Sequence, residues 1–349
     1  MAKRKVPYFS TERRIVGYRP GAVNTPDLPI YNTIVNPREN FRAMYYDKDP
    51  YWTGRADSIS TMPDLYHDTL GRPRYDYTDV FGRFWEWVPS ANGSITPHGQ
   101  PLFTDVNEWR DHITFPNIDE WDWAGAAEKT PMDTRFAQVP SFWNGFWFER
   151  MVSWMDFMPA AEALIDEDQH AAILDLLGTT TEFACKVIDK FIEYFPCIDG
   201  INMHDDWGSQ AAPFFSDAVA KKLFLPAMKQ MVDHIHSRGR IASLHSCGRV
   251  ESRINIFIEA GFDDWTPQPM NDSPKLYEEF GDKIILGIFT DSLPAGSSDA
   301  DYKEAARNWV KRFCKPGKPS MVGNIAMRDN PVFAEELYEY SRKHYAGLL

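Results

Sequence analysis

Cysteine is scarce in this chain. Its four residues, at 185, 197, 247 and 314, make no CxxC pair and no framework spacing, which excludes a disulfide scaffold and fits free thiols in a reducing cytoplasm. Positive charge is also short. The 37 Lys and Arg stand against 50 Asp and Glu, a formal net charge of −13, so neither nucleic acid nor an anionic membrane surface is an expected partner. No apolar run is long enough to span a bilayer. The opening MAKRKVPYFSTERR is basic but has no apolar stretch behind it, so no secretory signal is expected. The chain also lacks a GxGxxG fingerprint, a P-loop, a GxSxG elbow, an internal repeat and a low-complexity tract.

What it has instead is aromatic side chains, at 14% of the composition. Residues 1–130 are rich in Pro, Tyr and Trp and poor in long periodic runs. The segment 36–47 predicts a helix capped by Asn36, with Pro37 in its first turn. YDYTDVFGRFWEWVPSANGSITPHG reads as strand pieces joined by turns, with Asn92-Gly93 as a hairpin signal. This part is expected to wrap or lid the remainder; its rings equally suit a small subsidiary core. From about 133 onward strand and helix signals alternate. Strands are expected at 134–142, 199–202, 241–245, 262–266, 284–289 and 320–325. Helices are expected at 160–177, 179–195, 216–238, 250–260, 300–314 and 331–345. Repeated βα units imply a parallel sheet covered by helices, and their number favours a closed barrel. The expected fold is α/β: a TIM (β/α)8 barrel over residues 131–349 with an aromatic-rich extension over residues 1–130.

Reactive side chains cluster at two predicted strand ends. The first run, DGINMHDDWGSQ, delivers His204, Asp205 and Asp206; the second, GRIASLHSCG, delivers His245 and Cys247. The carboxyl ends of barrel strands carry catalytic groups. An imidazole and a thiol one residue apart suit zinc; they equally suit a buried thiol and a hydrogen-bonding imidazole at a turn marked by Gly248. Adjacent carboxylates beside a histidine serve as a general acid or hold a polar ligand group, and as easily serve as a helix cap and a solvated charge. Asp291 ends IILGIFTD and Asn324 ends SMVGN, both at strand ends, where turn initiation is the plainer role. In SFWNGFWFERMVSWMDFM, the rings of Trp143, Phe146, Trp147 and Phe148 offer either core or a wall for a flat ligand, and Glu149 amid them needs a partner.

NPRENFRAMYYDKDP, GINMHDDWGSQ, LHSCGRV, IEAGFDDWTPQ and LYEEFGDKIILGIFTD together resemble the uroporphyrinogen decarboxylase superfamily over roughly residues 36–345. The resemblance implies a TIM barrel with its site at the carboxyl ends of the strands. The decarboxylase branch has an N-terminal arginine motif for substrate carboxylates, which Arg38, Arg42 and Arg55 do not reproduce. The corrinoid-dependent methyltransferase branch has His-x-Cys and a distant Cys as zinc ligands. His245 and Cys247 match the first two, whereas the third position falls near Asn324, and Cys314 lies ten residues earlier in a predicted helix. Either an oxygen ligand, Asp205 or Glu149, then completes the zinc site, or the site is lost. DVFGRFWEWVPSANGS is similar to a subgroup associated with O-demethylation. The expected function is transfer of a methyl group from a small methylated substrate, a methoxylated aromatic among the candidates, to cobalamin on a partner corrinoid protein. His204, Asp205, Asp206 and Asp291 are the expected catalytic groups, and His245, Cys247 and Glu149 the expected zinc ligands. Trp143, Asn144, Phe148, Trp207, Gln210 and Asn324 are expected to meet the substrate. A uroporphyrinogen-type decarboxylase and a non-catalytic binding relative are the alternatives.

Overall fold

The computed structural model describes residues 6–19, 28–53, 57–63, 65, 75–90, 93–142, 145–323, 327 and 330–349. Two compact units share the chain. One holds Ser60–Met132 and Gln138–Gly287, and the other Met1–Ile59, Asp133–Ala137 and Ile288–Leu349. Residues on both sides of position 130 therefore belong to the same unit.

The first of these units is built on parallel strands, in the order Ser141–Phe142, Gly200–His204, Ile241–His245, Asp264–Thr266 and Ile285–Ile288, the last residue of which already belongs to the other unit. Ser243 pairs with Asn202, and His245 with His204. Because side chains alternate along a strand, 202, 204, 243 and 245 share one face. That face carries a polar ladder: Asn202 Nδ2 donates to Ser141 Oγ at 2.9 Å, and Ser243 Oγ to Asp264 Oδ1 at 2.6 Å. Ile201, Met203, Ala242, Leu244 and Trp265 are buried on the other face, as expected where helices cover a parallel sheet.

The covering helices include His170–Tyr194, Leu225–Ser237, Ile254–Ala260 and Ser273–Phe280. The helices expected at 160–177 and 179–195 are in fact Phe157–Ala163 and one 25-residue helix. Gly178 does not break that helix: Leu176, Leu177, Thr180 and Thr181 around it are buried, and this packing outweighs glycine's weak helix propensity. The helix expected at 216–238 contains a π turn, Ala220–Phe224, just before Pro226. Proline removes a backbone donor there, and the local widening accommodates the loss.

The aromatic segment packs within the same unit. Trp85 pairs with Tyr77 across antiparallel strands, and Val88 pairs with Gly93. The strand pairing of the hairpin is present, while Asn92 of the expected turn signal lies outside the described residues. Phe81 meets Trp154 and Phe183 edge-on, and Trp123 stacks on Tyr194. Arg150, fully buried, pairs with buried Asp79 at 3.1 Å. These rings form core against two helices.

In the other unit, helix Pro37–Tyr46 has the expected cap: Asn36 Oδ1 accepts from Glu39 N–H. Asp299–Phe313 and Pro331–Tyr345 are also helical, and Gly323 N–H donates to Ile288 O beside strand Ser320–Val322. No helix among the described residues is long and apolar enough to cross a membrane.

Candidate metal centre

Two adjacent strands end on paired histidines. The rings of His204 and His245 stack with centroids 5.2 Å apart and planes 16° apart. Past His245 the chain turns sharply at Gly248, whose φ is +90°. A Cβ there would sit 2.1 Å from the carbonyl oxygen of Gly208, so only glycine fits. Gln268 Oε1 accepts the Gly248 N–H, and Asn271 Nδ2 donates to the Gly248 carbonyl. This bracing brings Cys247 back over the strand ends.

Ligand-capable atoms of His204, Asp206, His245 and Cys247 all lie within 4.8 Å of one another. His245 Nδ1 is 2.9 Å from the Thr266 carbonyl, so that nitrogen carries the proton and Nε2 presents its lone pair to the cluster. Cys247 Sγ is 3.4 Å from His245 Nε2 and 4.0 Å from His204 Nε2. A tetrahedral zinc, with bonds of about 2.0–2.1 Å to nitrogen and ~2.3 Å to sulfur, separates such atoms by roughly 3.5 Å. Asp206 Oδ1 contacts His204 Nε2 at 3.1 Å and accepts the Cys247 N–H at 2.7 Å. Two imidazole nitrogens, one thiol and one carboxylate oxygen are thus gathered, a donor set that fits zinc.

Electrostatics follow from burial and from one another. Burial opposes a charge on His204, but the carboxylate of Glu149 and contacts to Asp206 and Cys247 overcome it and hold its proton well above the ordinary histidine range; a metal ligated at Nε2 would have to displace that proton. Burial, then the nearby charge of His204, push His245 down toward the neutral form. Burial raises the Cys247 thiol against the pull of His204. For Asp206, burial is outweighed by His204 and the Cys247 amide, which hold it below the usual carboxylate range.

Asp205 has another fate. Its carboxylate, 1% exposed, accepts the backbone N–H groups of Phe146, Trp147, Phe148 and Glu149 and the indole N–H of Trp207. Burial and Glu149 push its carboxyl up to about 7, against these donors. It caps helix Phe148–Met155 from another strand. Glu149, an expected ligand, stands behind His204 instead, 2.9 Å from Nδ1, and outside the four-residue cluster.

Phe148 and Trp207, expected at the substrate, are fully buried with Phe215 and Phe224. Gln210 is exposed in the turn after them. Asp291 is exposed and belongs to the unit that does not contain the cluster. Trp143, Asn144 and Asn324 lie outside the described residues. Sequence reasoning passed over Thr266 and Gln268. Their signal was the short TPQ segment that closes and directly follows a predicted strand, since strand-end loops collect functional groups.

No family model and no curated protein matches the chain. Among solved structures, a methyltransferase from Methanosarcina mazei is similar in fold, with a TM-score of 0.50 and 14% identity over 76% of each chain.

Proposed function

We propose that this chain is a methyltransferase on a closed (β/α)8 barrel. It moves a methyl group from a small methylated substrate, a methoxylated aromatic by class, to the cobalt of cobalamin on a partner corrinoid protein. The observation that carries the reading is the His204, Asp206, His245 and Cys247 cluster at the ends of neighbouring parallel strands, the position barrel enzymes use for catalysis. The fold likeness to the Methanosarcina mazei methyltransferase supports the reaction class.

Zinc is the proposed metal, held by His245 and Cys247 with His204 and Asp206 completing the set. When bound, it supplies a Lewis acid for the oxygen that departs as the methyl group leaves. The protein's own residues prepare that site. The Thr266 carbonyl fixes the His245 tautomer, Asp206 ties the Cys247 amide to His204, and burial of His204 keeps water from one side. A uroporphyrinogen-type decarboxylase is less well supported. A polycarboxylate substrate calls for a basic pocket, whereas the ionisable groups described in and beside the cluster are three carboxylates, two imidazoles and a thiol.

The test pairs metal analysis with methyl transfer. Zinc-loaded protein, cob(I)alamin and a panel of methoxylated aromatics should yield methylcobalamin, followed by absorbance, and Cys247→Ala should lose the activity. Zinc well below one per chain, together with full transfer by Cys247→Ala, removes zinc from the reading. Absence of transfer from every donor removes O-demethylation.

A further inference from the structure

We infer that Glu149 is a positioning residue for the metal centre, acting through His204. The inference rests on the metal-binding reading above and deepens it. His204 has two ring nitrogens and the cluster uses one. Nε2 faces Asp206 and Cys247, while Nδ1 meets Glu149 Oε2 at 2.9 Å. Turning the ring over would put a C–H against the carboxylate and withdraw Nε2 from Cys247. An anionic acceptor behind a ligating imidazole therefore selects the ring orientation and strengthens the ligand as a donor.

Glu149 is itself held firmly. It lies in the first turn of helix Phe148–Met155, whose leading amides, including that of Glu149, end on buried Asp205. Gly145, at φ +82°, makes the turn into that helix and donates its N–H to the His204 carbonyl at 3.1 Å. The same Oε2 accepts the Asp206 N–H at 3.3 Å. One carboxylate oxygen thus touches both residues that join His245 and Cys247 in the cluster. Asp205 anchors the helix, the helix places Glu149, and Glu149 aims His204.

Cobalt(II) bound to the full chain is the probe, because its thiolate charge-transfer band reports Cys247 and its ligand-field bands report geometry. Glu149→Ala should weaken cobalt binding about 10–100-fold and alter the ligand-field bands, while the thiolate band persists. Glu149→Gln should recover part of the affinity, since an amide oxygen in the same place still presents a lone pair to Nδ1. In a His204→Ala background, Glu149→Ala should have no further effect, because a residue acting only through His204 has nothing left to aim. If Glu149→Ala does not fold, Glu149→Met, similar in size and unable to accept a strong hydrogen bond, replaces it in the cycle. Wild-type affinity in Glu149→Ala, or an equal loss in both backgrounds, overturns the positioning role. The metal-binding reading fails separately if the wild-type chain shows no thiolate band or Cys247→Ser leaves binding unchanged.

Discussion

Asp205 and Asp206 leave the same strand end and meet different partners. Asp205 is enclosed by five N–H donors, so its work is to hold a helix terminus. Asp206 meets an imidazole and the Cys247 amide. Asp205→Asn would turn an NH2 group toward backbone donors and leave a buried donor unpaired. It is expected to cost about 1–3 kcal/mol, read by denaturant unfolding. Asp206→Asn should cost less than half of that and instead weaken zinc uptake. Equal destabilisation by the two variants would contradict this division. At Gly248, any side chain meets both a left-handed backbone and the Gly208 carbonyl. Gly248→Ala should lose about 1–3 kcal/mol from the backbone conformation alone and lose metal uptake with it; unfolding curves and metal analysis check both.

The strand–helix–strand unit from Gly200 to His245 shows how one element fixes another. Helix Leu225–Ser237 carries in its last turn His236, whose Nε2 contacts Asp263 Oδ2 at 2.8 Å, and the same carboxylate oxygen accepts the Ala242 N–H. The Asp263 hydrogen bond raises the His236 pKa above 6.5; partial burial and Lys229 work against it, and the charges of Asp263 and Asp233 assist. A raised histidine pKa means that the folded state holds its proton more tightly than the unfolded chain. The stabilisation is therefore complete below about pH 6.5 and is lost as pH rises through the folded value. Melting curves at stepped pH should show His236→Gln losing most relative to wild type at acid pH and converging with it at alkaline pH. A constant difference across that range would mean that the ion pair contributes no pH dependence. The effect is modest, because the imidazole is 39% exposed.

For the whole molecule, a metal at the proposed centre would link binding to folding. The cluster joins residues 204–206 to 245–247, so a metal held there binds the native chain and has no equivalent site in the unfolded one. Zinc in hundredfold excess over its Kd would stabilise the protein by about 2.7 kcal/mol. Chelator should lower the melting temperature, added zinc should restore it, and Cys247→Ser should be indifferent to both. Unchanged melting of wild type under chelator would count against the site. The acidic balance of the chain, −13, would not by itself concentrate zinc at this point; under the proposed reading the enclosed donors would.

Much of the architecture was legible from the sequence alone. Apolar runs bounded by Gly and Asp marked the strands near 200 and 241, and period and caps marked helix Pro331–Tyr345 and the Asn36-capped helix, because these signals are local. His204, Asp206, His245 and Cys247 could also be picked out as reactive groups at strand ends. Their division of labour could not. Whether a carboxylate caps a helix or faces a metal depends on which backbone amides the fold brings to it, and those at 146–149 come from a segment more than fifty residues away. Glu149 looked like a ligand because a buried carboxylate needs a partner; only the tertiary structure decided that the partner is the far nitrogen of His204. Phe148 and Trp207 looked available for a substrate, and packing against Phe215 and Phe224 made them core. Sequence determined which chemical groups stand at the strand ends, through local propensity and alternation. Tertiary structure decided what each one faces, because hydrogen-bond partners and burial are set by segments remote along the chain.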